Sequence, residues 1–176
     1  FVLGDSLQSK DTTGILSRVK EPVLSISSRL SKRYPGFSLH TLRSQDIDRF
    51  FGDLNNDEIS LLKGTVENHE ITRQARALLE GKGDDKKRMG SLLTRHQAIL
   101  RDVLRISTPK IDTMLDAALS AGGLGGKING SGGGGCMFAY APDNPEVVAE
   151  AIEKAGGRSW IVYPDAGVRL EHMTDR

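Results

Sequence analysis

An α+β layered domain is the fold class this sequence predicts, and three observations predict it. Between about residues 11 and 121 the apolar residues recur at helical spacing, in segments opened by good N-caps. After Gly122 the pattern changes to short apolar runs separated by glycine turns. Those runs read strand, strand, helix, strand, strand, so the sheet-forming half follows a helical half. With 176 residues and 38% hydrophobic content, the chain can bury a sizeable core.

Phe1 to Leu7 is short and apolar and reads as a strand. Asp11, Thr12 and Thr13 offer caps for a helix running to about Arg33, with Ile15, Leu16, Val19, Val23, Leu24 and Leu30 on its apolar face. Pro22 is expected to end or kink it, and Pro35-Gly36 marks a break. A short helix near Gln45 to Phe51 follows. Asn55 and Asn56 cap a long helix carrying Ile59, Leu62, Val66, Leu78 and Leu79, which ends before Gly81. Gly81 to Asp85 is a polar turn. The next helix, from about Asp85 to Leu104, has Met89, Leu92, Leu93, His96, Ile99, Leu100 and Val103 as its stripe. A short loop predicts that these two helices pack antiparallel.

Thr108 caps another helix, and Pro109 takes the first helical position, where a missing N–H costs nothing. Gly122 stops it. Gly126 to Gly130 reads as a short strand and Cys136 to Ala141 as a buried one. Asn144-Pro145 starts a helix that Gly156-Gly157 ends. Trp160 to Tyr163 is a strand, and Val168 to His172 a last one.

Composition excludes several classes. The net charge is +1 with both signs interspersed, which argues against a dedicated nucleic-acid or membrane-surface protein. The single cysteine, Cys136, permits no intramolecular disulfide and fits a reducing compartment, so a cytoplasmic location is expected. No apolar run is long enough to span a bilayer. The chain opens on Phe1 inside a strand, which reads as a fragment of a longer polypeptide.

The chemistry-bearing feature is the glycine cluster from Gly122 to Gly135. Glycine is costly to order, so four consecutive glycines before an apolar strand need a reason. A turn with positive φ at several positions is one. A backbone that approaches a ligand closely, with successive N–H groups forming an anion-binding concavity, is the other. No Gly-Lys-Ser/Thr closes the stretch and no helix opens at its end, so it is neither a Walker A loop nor a dinucleotide fingerprint.

Gly125-Gly126-Lys127-Ile128-Asn129-Gly130-Ser131-Gly132-Gly133-Gly134-Gly135-Cys136 resembles the third conserved motif of the GHMP kinases, roughly Gly-Ala-Lys-Leu-Thr-Gly-Ala-Gly-Gly-Gly-Gly-Cys. The stretches His96–Asp102 and Ser107–Asp112 are similar to the galactokinase sequence before that motif, and Asp165–Glu171 to the closing strand of several members. Lys127 and the four glycines stand nearer to mevalonate or heptose-phosphate kinases, where galactokinases tend to have Ala-Arg-Met-Thr before the glycines.

The resemblance implies a ferredoxin-like carboxy-terminal domain, an antiparallel sheet packed with several helices, spanning residues 1–176. It implies an ATP-dependent kinase, galactokinase-like, that uses ATP and Mg²⁺ in the full-length enzyme and phosphorylates a sugar or related alcohol. The partners implied are that small-molecule substrate, ATP and the chain's own amino-terminal ATP-binding domain, with no nucleic acid and no membrane. Neither of the family's first two motifs is present, so no catalytic residue is assigned here. The candidate phosphate- and substrate-binding residues are Gly130, Ser131, Gly132, Gly133, Gly134, Gly135 and Lys127.

Two other readings remain. A regulatory protein that kept the fold without the chemistry is one. A ferredoxin-like RNA-binding module is the other; it predicts exposed aromatics on adjacent strands, which a 5% aromatic content disfavours. His69 and His96 have no second ligand at metal spacing, and no metal site is assigned.

Overall fold

A computed structural model describes residues 1–9, 12–81 and 85–168. Four strands form one sheet, alternating in burial as a half-covered sheet requires except that neighbouring Gly125 and Gly126 are both buried. They are β1 (Val2–Asp5), β2 (Gly125–Ile128), β3 (Cys136–Tyr140) and β4 (Arg158–Ile161). Val2, Ile128, Met137 and Ala139 are fully buried on one face, against helices α4 (Pro109–Ser120) and α5 (Pro145–Lys154). Ile111, Met114, Leu115, Val148 and Ile152 supply the helical side of that core.

The sheet order is β2-β3-β1-β4, and every neighbouring pair is antiparallel. With α5 between β3 and β4 and a helical insertion between β1 and β2, this is the split βαβ arrangement of ferredoxin-like folds. The predicted α+β class and antiparallel sheet hold. β1 is shorter than the apolar run Phe1–Leu7, because Leu7 turns the chain at φ 59° and its amide is taken by Asp5 Oδ1 at 2.9 Å. β4 begins two residues before Trp160, because pairing with β1 sets its register, Asp5 opposite Arg158 and Val2 opposite Ile161. Of the last predicted strand, only Val168 lies within the described residues, and it is not in a strand.

The insertion builds its own core. α1 (Thr12–Arg33) and α2 (Asn56–Glu80) flank a 3-10 helix (Ser44–Asp53), and Ile26, Leu30, Ile47, Phe50, Leu62 and Val66 are buried between them. Asn55 caps α2, as its sequence predicts, and Glu58 completes a capping box with it. α1 runs through Pro22, which did not end the helix. Pro22 is exposed, so the Arg18 carbonyl that loses its partner there lies on the solvent side of the helix. Leu24 was placed on the apolar face but is 53% exposed; Ile26 takes the buried position, because the stripe follows residues 19, 23, 26 and 30. Leu79 is likewise exposed, and Ile71 is buried in its helix. Predictions that rested on Asp11, on residues 82–84 or on the Leu16 side chain fall outside what is described.

α3 (Lys86–Ala98) is capped by Asp85, whose side chain accepts from the Arg88 amide at 3.0 Å. It ends earlier than expected, widening into a π-helical turn over Ile99–Val103. α3 packs antiparallel on α2: Leu92 and Ile99 meet Ile71, Arg95 pairs with Glu67 at 2.5 Å, and a Cβ at Gly64 would lie 3.0 Å from Val103. The Gln97 side chain of α3 joins this layer to the sheet by accepting the Ile128 amide at 2.8 Å.

Candidate functional site

The β2–β3 connection folds the glycine cluster back over the start of α1. Gly130, Gly132, Gly133, Gly134 and Gly135 all have φ between 68° and 112°. Four left-handed residues in a row explain the four glycines: an L side chain at any of them is strained. Space excludes side chains too. A Cβ at Gly132 would stand 2.6 Å from Ile106 Cβ and 2.6 Å from its carbonyl oxygen. At Gly134 it would press on Gln8 and Ser9, and at Gly133 on the Ile15 side chain.

Two loop amides are committed to the fold. Gly133 N donates to Ile106 O at 2.7 Å, and Gly135 N to Gln8 O at 3.3 Å. The Gly135 carbonyl accepts from Ser6 N at 2.9 Å. The amides of Ser131, Gly132 and Gly134 have no acceptor among the described residues, although Gly132 and Gly134 are buried. Buried donors without partners are rare, and they mark a place for an acceptor. Ser131 Oγ lies 3.5 Å from Thr12 Oγ1 in the first turn of α1, which carries no acidic residue. The loop therefore lies beside the first turn of α1, where the helix dipole favours an anion.

Sequence reasoning missed the supporting wall. Leu7, at φ 59° and 62% exposed, and Gln8, which accepts from Thr108 Oγ1 at 2.9 Å, hold the strand end against the loop. Arg105, at φ 52°, precedes the carbonyl that takes Gly133. Among the described residues, the two non-glycine positions with positive φ thus both flank the loop. The Asp5 side chain serves the turn at Leu7.

Lys127 is not brought to these amides. The loop leans on Ile106 and Ile15, which belong to the core side of the sheet, and Lys127 projects from the opposite face. Its Nζ donates to Ile128 O at 2.6 Å and sits 5.3 Å from the Phe138 ring centroid. Burial lowers its pKa. Burial, and then the Lys127 charge, hold His96 down at about 4, so it is neutral near pH 7.

Despite the low aromatic content, aromatics do gather on that open face. Phe1 lies 5.9 Å from Phe138 and 5.0 Å from Tyr140, and Trp160 stands 43% exposed on β4. Composition counts rings but does not place them. Lys127 covers Phe138 and Arg158 lies 5.9 Å from the Trp160 centroid, so these rings are engaged within the chain. Among the described residues no group of three or more His, Cys, Asp or Glu could hold a metal ion, and no helix is long and apolar enough to cross a membrane.

Residues 74–158 match the family model described as GHMP kinases C terminal. The sheet order, the glycine loop and this match define the class of that region: residues 74–158 carry the carboxy-terminal region of the GHMP kinases. Among individual proteins, the mevalonate kinase of Thermococcus onnurineus is 40% identical over 108 residues, covering 59% of this chain and 32% of that enzyme. The galactokinase of Streptomyces coelicolor is 31% identical over 134 residues, covering 70% and 34%. The chain spans about a third of the length of these curated relatives. Lactococcus lactis galactokinase, solved with galactose, shares the fold with a TM-score of 0.77 at 22% identity, over 90% of this chain and 43% of that one. L. major mevalonate kinase, solved with R-mevalonate, gives 0.54 at 20%, over 88% and 36%.

Proposed function

We propose that these residues form the carboxy-terminal half of a cytoplasmic ATP-dependent kinase that phosphorylates a hydroxyl of a small molecule. The observation that carries this reading is the glycine loop beside the start of α1, whose Ser131, Gly132 and Gly134 amides have no acceptor among the described residues. Such donors are suited to phosphate oxygens, whose charge they stabilise without rearranging. Gly130, Ser131, Gly132 and Gly134 are the residues assigned to that contact. Gly133 and Gly135 hold the loop in shape. Lys127 is assigned to the sheet and not to the phosphate.

Phosphoryl transfer needs ATP and Mg²⁺, which neutralises charge on the transferred group when bound. The loop amides fit a phosphate. The described carboxylates and histidines form no cluster for Mg²⁺, so the cation and the catalytic carboxylate are assigned to an amino-terminal domain outside these residues.

Two acceptors compete. Likeness of fold to a galactokinase over 90% of the chain supports a sugar. Higher sequence identity to mevalonate kinases, together with Lys127 and the run of glycines, supports mevalonate.

The test is ATP consumption with Mg²⁺ against galactose, mevalonate, homoserine and heptose phosphates, by this chain alone and joined to its upstream sequence. Turnover is expected only in the joined form. Turnover by the 176 residues alone sinks the division of labour, and none in either form sinks the kinase reading.

A further inference from the structure

A cavity of about 500 Å³ opens between α1, the start of α2 and the end of the π-helical turn, and it shares none of the residues 130–135. Its floor is apolar, built by Val19, Pro22, Leu61 and Leu104. Its rim is charged, and the charges are unequally satisfied. Glu58 is held by both nitrogens of Arg29, at 2.5 and 3.2 Å. Asp102 is held by Arg101, at 2.8 and 3.1 Å. Each of these carboxylates already has its cation. Arg18 and Arg105 line the same cavity, and neither guanidinium has a carboxylate partner among the described residues. Asp57 is the one rim carboxylate without a cation there, and it sits in the first turn of α2, where the helix end favours its charge. Among the described residues the cavity is thus left with two guanidinium groups that no carboxylate pairs, against the one unpaired carboxylate of Asp57, over an apolar floor.

We propose that this cavity binds a small organic anion, its phosphate or carboxylate held by Arg18 and Arg105 and its apolar body resting on Val19, Pro22 and Leu61. Size and lining are those of a small-molecule site, and the guanidinium fork suits bidentate recognition of such anions. The backbone around it supports a functional role. A π-helical turn and a non-glycine residue in the left-handed region both form its wall, and each recurs at functional sites more than elsewhere.

The same wall leads to the glycine loop. Arg18 Nη2 donates to the Arg105 carbonyl at 3.0 Å, and the next carbonyl, that of Ile106, receives Gly133 N at 2.7 Å. An anion that draws the Arg18 guanidinium to itself competes with the Arg105 carbonyl, so occupancy of the cavity is felt at Gly133. The site is thereby an effector site for the loop, whatever the loop binds.

The probe is phenyl phosphate, titrated into the whole chain and followed by amide resonances. Saturable shifts are expected at Arg18, Leu61 and Val103–Arg105, with further shifts at Gly132 and Gly133. Arg18→Ala and Arg105→Gly each weaken that binding about tenfold, since a hydrogen bond to a charged group contributes roughly 1.5–3 kcal/mol. Both side chains are exposed, and glycine suits the backbone at 105, so neither change endangers folding. Shifts confined to residues 130–135, or affinities unchanged in both variants, overturn the cavity as a site. Loop shifts that survive Arg18→Ala come from direct binding at the loop and overturn the coupling.

Discussion

Replacing Gly132 by alanine tests whether the glycine loop is packed against the fold or merely permitted to be there. Two costs are separable. Gly132 has φ 84°, and an L-residue in the left-handed region is disfavoured by roughly 1–2 kcal/mol. The new Cβ also lands 2.6 Å from Ile106 Cβ and from its carbonyl oxygen, atoms close to the main chain that cannot swing away. Overpacking of that kind costs about 1–3 kcal/mol. Gly36 supplies the control: its φ is 86°, and nothing lies within 4 Å of its Cβ position. Gly36→Ala therefore carries only the backbone cost. The entropy that alanine removes from the unfolded chain is common to both and cancels in the comparison. The Gly132 variant is expected to lose about 1–3 kcal/mol more than the Gly36 variant. Urea unfolding measures this by circular dichroism and by fluorescence of the single tryptophan, Trp160; coincident curves establish one transition. Equal losses in the two variants would mean that the loop is not seated on Ile106, and the site built above would lose its shape.

Three further outcomes follow from buried contacts. Gln97→Leu leaves the Ile128 amide without an acceptor and strips Ser107 and Asp112 of a donor, so a loss of about 1–3 kcal/mol is expected in urea midpoints; an unchanged midpoint refutes the link between α3 and the sheet. His96 has a folded pKa of about 4 against an ordinary 6.5, so the unfolded chain binds more protons between those values. Stability is therefore full above pH 6.5 and falls as pH drops toward 4; His96→Gln should show a smaller drop between pH 7 and pH 5, and an identical drop rules His96 out as the cause. Arg105→Gly relieves the left-handed strain at φ 52° and is expected to raise stability by up to about 1 kcal/mol, read by thermal unfolding; a loss there would show that the Arg105 side chain matters more than its backbone.

What was legible in the sequence was local. Asn55 before α2 and Thr108 with Pro109 before α4 act within one helical turn, and each cap stands where the residues place it. The run Gly132–Gly135 announced positive φ because no other residue tolerates four such positions. What was not legible depends on partners far along the chain. Leu24 and Ile26 are both good core residues; only packing on residues 47–66 decides between them. Nothing in Ile99–Val103 signals a π-helical turn, and nothing near it in sequence announces that Gly64 of another helix packs against it. Lys127 belongs to the motif by sequence, but strand alternation, once the register is known, turns it to the face opposite the loop. Gln97 looks like one polar residue on a helix and turns out 6% exposed, because the strand amide it serves lies 31 positions away.

The glycines themselves do not fix the loop's conformation. A glycine run is free to adopt many shapes, and ordering it is costly. The shape comes from acceptors on other segments: Ile106 O takes Gly133 and Gln8 O takes Gly135. Those two carbonyls are presented by residues next to Arg105 and Leu7, the two described positions where a side chain accepts left-handed backbone strain. The fold thus concentrates its unfavourable conformations on either side of one loop and uses them to aim two carbonyls at alternate amides. The intervening amides of Gly132 and Gly134 are buried and have no acceptor among the described residues. A structure selected for stability alone would be expected to satisfy them. Holding donors open at that expense is what a preorganised anion site requires, since the donors are then in place before charge arrives.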